Sequence, residues 1–185
     1  MQWQIKGTNW LDLFAGYGTI GIEAISRGAN SVVFVEHHRH VINCLKRNIN
    51  VIGAEDKCKI IPIDVSVYLE YCKKNYQARL LSTLLVSKPT ADNGIKPTSL
   101  GPELMPTEAT LGNSYDFIYI DPPYKYPCYG QIMENISNSN ILGKNGIIIV
   151  ESSKQNNSIL SIIGTLKCYL VKSYGDTKLL FFVNS

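Results

Sequence analysis

The sequence predicts an α/β fold: one doubly wound domain on a mostly parallel sheet, with helices on both faces. Short apolar runs alternate with longer stretches of helical spacing through the first half of the chain, the pattern of strand–helix units that feed parallel strands. A glycine-rich turn joins the first apolar run to the first helical stretch. Acidic residues, Glu36, Asp64 and Asp121, stand where later apolar runs end, on the rim at which such folds bind ligands.

The first strand is expected at residues 10–14, and the helix after the turn at about 19–27, with Gly28 as its stop. The second strand, 31–36, reads Val-Val-Phe-Val before Glu36. The next helix, about 39–52, is expected to trace one face with Val41, Leu45, Asn48 and Ile52, and Gly53 ends it. A third strand at 59–63 leads through Asp64 into a helix from 66 to about 85. Between residues 87 and 114, four prolines alternate with glycines and many Ser and Thr, with little periodicity, which predicts a flexible insertion. The pattern resumes with Tyr-Asp-Phe-Ile-Tyr-Ile, a buried strand ending at Asp121, and a helix near 129–136. Gly143 and Gly146 predict a turn into a strand at 147–150, followed by a short helix near 158–163. Two last strands, 166–173 and 178–183, are joined by Tyr174-Gly175-Asp176-Thr177, which predicts an antiparallel hairpin at the sheet edge.

Composition narrows the partners and the compartment. The chain of 185 residues is 45% hydrophobic and 18% charged, enough to bury its own core and unlike a disordered polypeptide. A net charge of +3 permits a nucleic-acid partner without demanding one. The five cysteines form no C-x-x-C pair, which argues against a zinc ribbon or a disulfide scaffold and points to a reducing, cytoplasmic setting. Neither a signal peptide nor a membrane span is visible, and a monomer is expected.

Gly16, Gly18 and Gly21 form a G-x-G-x-x-G between a strand and a helix. Glycines there let the backbone approach a ligand and turn into the helix, whose free N–H groups favour an anionic group. Glu36 at the end of the second strand can accept hydrogen bonds from both ribose hydroxyls of an adenosine-containing cofactor. These features suit a nicotinamide dinucleotide and S-adenosylmethionine about equally. Asp12 tips the balance, because a carboxylate at the first strand end suits a cationic ammonium and sulfonium and repels a pyrophosphate. Asp64 can meet the adenine amino group, or it can cap the helix that follows.

Asp121-Pro122-Pro123-Tyr124 ends the strand after the insertion. Two prolines fix the local backbone and remove two donors, leaving carbonyl acceptors and one carboxylate. An exocyclic amino group of a nucleobase fits such a site. Its lone pair is delocalised into the ring, and hydrogen bonds from its N–H groups to Asp121 and the Pro122 carbonyl localise it toward a methyl donor, while Tyr124 stacks on the base.

The Asp12 to Ala29 string, Asp121-Pro122-Pro123-Tyr124, Val150-Glu151 and Tyr174-Gly175-Asp176-Thr177 together resemble the RsmD family. The resemblance implies a Rossmann-like class I methyltransferase with a seven-stranded sheet and an antiparallel final strand. It also implies S-adenosylmethionine as cofactor, and as substrate the N2 amino group of a guanine in 16S ribosomal RNA, free or in the small subunit. It assigns the cofactor loop to Asp12, Phe14, Ala15, Gly16 and Gly18, the ribose contact to Glu36, and the amine site to Asp121, Pro122, Pro123 and Tyr124. Family members carry a further segment before the first strand, so the start here reads as shortened, and the insertion is longer than the resemblance leads one to expect.

Two other readings stay open: an amino-methyltransferase acting on adenine in DNA or RNA, and a non-catalytic RNA-binding relative. His37, His38 and His40 are expected to be solvated or adenine-adjacent and not to hold a metal, since no fourth ligand is apparent. Lys125 is placed to meet a phosphate beside the target base, and Cys128 is expected to pack.

Overall fold

A computed structural model describes residues 4–84, 114–123, 129–156 and 161–185. The expected insertion, apart from Ser114, lies outside the described residues, as do Tyr124, Lys125 and Cys128. The described elements are β1 (Asn9–Leu13), α1 (Thr19–Ser26), β2 (Ser31–Val35), α2 (Arg39–Val51), β3 (Cys58–Ile61) and α3 (Val65–Leu84). After the insertion come β4 (Tyr115–Ile120), α4 (Tyr129–Ser137), β5 (Leu142–Ser153), β6 (Ile162–Ile163), β7 (Leu166–Tyr174) and β8 (Thr177–Asn184).

Strands β1 to β5 read as nearly unbroken apolar runs because both of their faces are covered. Leu11, Leu13, Val33, Val35, Ile118, Ile120, Ile148 and Val150 face one core with Tyr68, Leu69 and Cys72 of α3 and Ile132, Met133 and Ile136 of α4. Trp10, Val32, Phe34, Phe117, Tyr119 and Ile149 face the other with Ala24 of α1 and Leu45 and Ile49 of α2. The period-two alternation of each strand thus divides its side chains between two helical layers.

The sheet order is β3-β2-β1-β4-β5-β8-β7-β6. The first five strands run parallel, and β8, β7 and β6 add antiparallel pairings. The chain winds outward from β1 to β3, then crosses back to β4, so the switch point lies between β1 and β4. There Leu13 is in register with Ile120, so Phe14 and Asp121 leave neighbouring strand ends on the same rim. A crevice opens at that rim because the two connections leave in opposite directions.

Four local expectations are corrected. The buried stripe of α2 is Ile42, Leu45 and Ile49; Asn48 and Ile52 face solvent. Both stripes pass through Leu45 at helical spacing, and only the packing against β2 chooses between them. The segment from Gly143 to Gly146 is part of β5, whose register against β4 slips between Tyr115 and Phe117. Gly146 permits the slip, since a Cβ there would stand 2.8 Å from the Tyr115 carbonyl oxygen. Ile162 and Ile163 form a two-residue strand against β7, not the end of a helix, and residues 158–160 of that expected helix lie outside the described residues. This short strand makes the sheet eight-stranded, one more than expected.

Candidate active site

Gly16 and Gly18 have φ of +56° and +81°, a backbone region that side-chain-bearing residues rarely adopt. Phe14 adopts it too, at +62°, and ends β1 one residue earlier than expected. A non-glycine residue held there is strained, which is common where a chain must present its backbone to a ligand. Gly21 serves packing: a Cβ on it would stand 2.3 Å from the Phe34 ring, so α1 can lie against β2 only with glycine at this position.

Asp12 is 2% exposed, and its Oδ2 accepts a hydrogen bond from the Gly21 N–H at 3.1 Å. Burial, opposed by that hydrogen bond and reinforced by the charges of Asp121 and Glu36, pushes its pKa up to about 8. Asp12 does not line the cleft described below. The carboxylate is buried beneath the turn and ties α1 to β1.

The Glu36 carboxylate collects three backbone N–H groups. Its Oε2 accepts from Gly16 at 3.0 Å, and its Oε1 from His37 at 2.8 Å and His38 at 2.9 Å. It thereby clamps the glycine turn to the end of β2 and to the start of α2. The His37 and His38 rings lie 3.9 Å apart, and one ligand atom from each joins Glu36 within a 4.8 Å group. His40 is not part of that group, and both Glu36 oxygens already accept hydrogen bonds from the backbone.

Asp64 takes the capping alternative. Its Oδ1 accepts from the Ser66 N–H at 2.8 Å and from the Ser66 hydroxyl at 2.5 Å at the start of α3, and it does not line the cleft.

On the other side of the switch point, Asp121 and Pro123 are exposed and Pro122 is buried. Asp121 and Glu151 follow Ile120 and Val150, which are in register across β4 and β5. Partial desolvation, then the charge of Glu151, push the Asp121 pKa up to about 6. Glu151 Oε2 accepts a hydrogen bond from the Tyr119 hydroxyl. Burial and this acceptor raise the Tyr119 pKa, so the phenol keeps its proton.

A cleft of about 280 Å³ runs along this rim. Phe14, Glu36, Asp121, Pro122 and Pro123 line it; Ala15, Gly16 and Gly18, in the turn, do not. Glu36, Asp121 and Glu151 give it three carboxylates, and no lysine or arginine lines it among the described residues. Sequence reasoning assigned no role to Tyr119, Glu151, Tyr129, Ser152 or Thr177. Glu151 carries the same signal as Glu36, an acidic residue closing an apolar run. Thr177 reaches the cleft because it pairs with Ser153, which brings the Tyr174-to-Thr177 turn to the carboxyl end of β5.

The family model described as Conserved hypothetical protein 95 matches residues 1–82 and 101–183. The chain belongs to this family. The resemblance to RsmD holds within it: the Ribosomal RNA small subunit methyltransferase D of Buchnera aphidicola subsp. Acyrthosiphon pisum is 27% identical over 175 residues, covering 90% of this chain and 71% of that protein. Among solved structures, a conserved hypothetical protein of Streptococcus pyogenes superposes with a TM-score of 0.70 at 23% identity, over 97% of this chain and 88% of that one. The ribosomal protein L11 methylase of Lactobacillus delbrueckii subsp. bulgaricus superposes with a TM-score of 0.57 at 13% identity, over 97% and 71%. The Conserved hypothetical protein 95 chain thus has the class I methyltransferase fold. Among the described residues no helix is long and apolar enough to cross a membrane.

Proposed function

We propose that the chain methylates the N2 amino group of a guanine in small-subunit ribosomal RNA, using S-adenosylmethionine, in the cytoplasm. One observation carries the reading: Glu36 and the Asp121-Pro122-Pro123 segment line a single cleft across the paired ends of β1 and β4.

The residues fit that cofactor. An acidic cleft without a lysine or arginine among its described lining attracts an ammonium and a sulfonium and repels a pyrophosphate, which disfavours a dinucleotide. Glu36 stands where it can exchange backbone N–H partners for ribose hydroxyls, and Phe14 supplies an apolar wall. When bound, the cofactor supplies an electrophilic methyl group.

Asp121 and the Pro122 carbonyl accept the two N–H groups of the base amine and turn its lone pair toward the methyl carbon. Once it had accepted that methyl group, the amine nitrogen would shed a proton. Asp121, with a pKa near that of a neutral-pH base, takes the proton and passes it to water. Pro122 and Pro123 hold these acceptors in place, so positioning does most of the catalytic work. Tyr124 stacks on the extruded base. The relatives named for small-subunit ribosomal RNA methylation support the substrate class.

The test is transfer of a labelled methyl group to undermethylated small subunits, followed by nucleoside analysis. N2-methylguanosine is the expected product. N6-methyladenosine would replace this reading with the adenine one, and no transfer would favour the non-catalytic relative.

A further inference from the structure

Methyl transfer as derived above uses Asp121 but leaves the second carboxylate beside it without a role. Asp121 and Glu151 step off β4 and β5 side by side, because Ile120 and Val150 are in register. Glu151 is held from within the sheet: Tyr119, 7% exposed and on the same face two residues before Asp121, donates its hydroxyl to Glu151 Oε2. Glu151 Oε1 has no hydrogen-bond partner among the described residues, and the side chain lines the cleft.

We propose that Glu151, oriented by Tyr119, reads the Watson–Crick edge of the acceptor base and admits guanine while rejecting adenine. The inference rests on the guanine-N2 reading and adds the residue that selects the base. Guanine presents two adjacent donor atoms on that edge, N1–H and the N2 amine. Adenine and cytosine each present an amine beside a ring nitrogen that is an acceptor. With the amine on Asp121 and the Pro122 carbonyl, the neighbouring ring position falls toward Glu151. An N1–H then donates to Oε1 in a charge-assisted hydrogen bond. An acceptor nitrogen meets a carboxylate oxygen, lone pair against lone pair. A site built for a donor rejects an analogue lacking it much more strongly than an apolar pocket rejects a missing methylene. Because the Tyr119 hydroxyl occupies Oε2, the carboxylate cannot swing away to relieve that clash without breaking a second hydrogen bond.

The test uses the S-adenosylmethionine-loaded protein and undermethylated small subunits, with guanosine and 2-aminopurine riboside as competitors of transfer. The second nucleoside keeps the 2-amine and lacks N1–H. The wild-type protein should prefer guanosine by about tenfold or more, from one base-edge pairing. Glu151→Gln, whose amide can serve either edge, should bring the two competitors within about threefold when assayed at saturating S-adenosylmethionine. Tyr119→Phe should raise KM for the subunit more than it lowers kcat, with a smaller loss of preference. An intact guanosine preference in Glu151→Gln overturns the inference, as does a loss of cofactor affinity with the preference retained. If N2-methylguanosine is still the product, only the role of Glu151 fails; a different product nucleoside defeats the guanine reading itself.

Discussion

Gly16 donates its backbone N–H to Glu36 Oε2 at 3.0 Å, so the turn after β1 is fastened to the end of β2. The same carboxylate also accepts from His37 and His38, and the end of β2, the glycine turn and the start of α2 therefore share one anchor.

Glu36→Ala is expected to weaken S-adenosylmethionine at least about tenfold and to cost about 1–3 kcal/mol of stability, because three N–H groups lose their acceptor. Titration calorimetry and urea unfolding read the two effects. A variant with wild-type stability would show that the anchor does not hold the turn.

Asp121→Ala should reduce methyl transfer by about a hundredfold or more, the range for losing a positioned acid–base group, with cofactor affinity little changed. Wild-type turnover in this variant is the outcome that defeats the catalytic assignment.

The Asp121 pKa, up to about 6 from 3.8, makes activity pH-dependent. The ionised carboxylate accepts more strongly from the base amine and is the form that can take its proton, so kcat/KM should rise as pH climbs through about 6. A bound cation favours the ionised form, so the corresponding limb in kcat should lie at lower pH. Asp121→Asn should lose this limb from whatever activity remains.

Asp12 makes stability pH-dependent. Its pKa is raised from 3.8 to about 8, so the folded state binds this proton more tightly than the unfolded state. That stabilisation is complete below the unfolded value and is lost as pH rises through about 8. Asp12→Asn keeps an acceptor for the Gly21 N–H and cannot ionise. The variant should therefore gain thermal stability relative to wild type as pH increases toward that value, measured without cofactor. A constant difference across the range would show that Asp12 is not desolvated.

Gly21→Ala should cost about 1–3 kcal/mol through overpacking, because its Cβ would stand 2.3 Å from the buried Phe34 ring. The loss would be read by denaturant unfolding. Gly130→Ala is the control for glycine loss in general, since it too is helical, has no positive φ and has nothing within 4 Å of its Cβ position.

Much of this architecture is legible in the chain itself, because it is local. Val32 to Val35 is too short and too apolar to be anything but a strand covered on both sides, and Gly16 and Gly18 announce a turn that other residues would strain. Local signals failed where two arrangements share one pattern. Val41 and Ile42 are both spaced to share a stripe with Leu45, and the fold buries Ile42. Ile162 and Ile163 have no periodicity of their own, and pairing with β7 makes them a strand.

By itself the sequence determined the doubly wound fold, the glycine turn and the acids Glu36 and Asp121 at strand ends, because hydrophobic period and backbone restriction are properties of consecutive residues. Tertiary structure alone decided what those acids do. Asp12 sinks beneath the turn onto Gly21, Asp64 caps α3 through Ser66, and Glu151 joins Asp121 because β4 and β5 pair in one register and not another. Burial and partner geometry set the charge and direction of a carboxylate, and both arise between residues far apart in the chain.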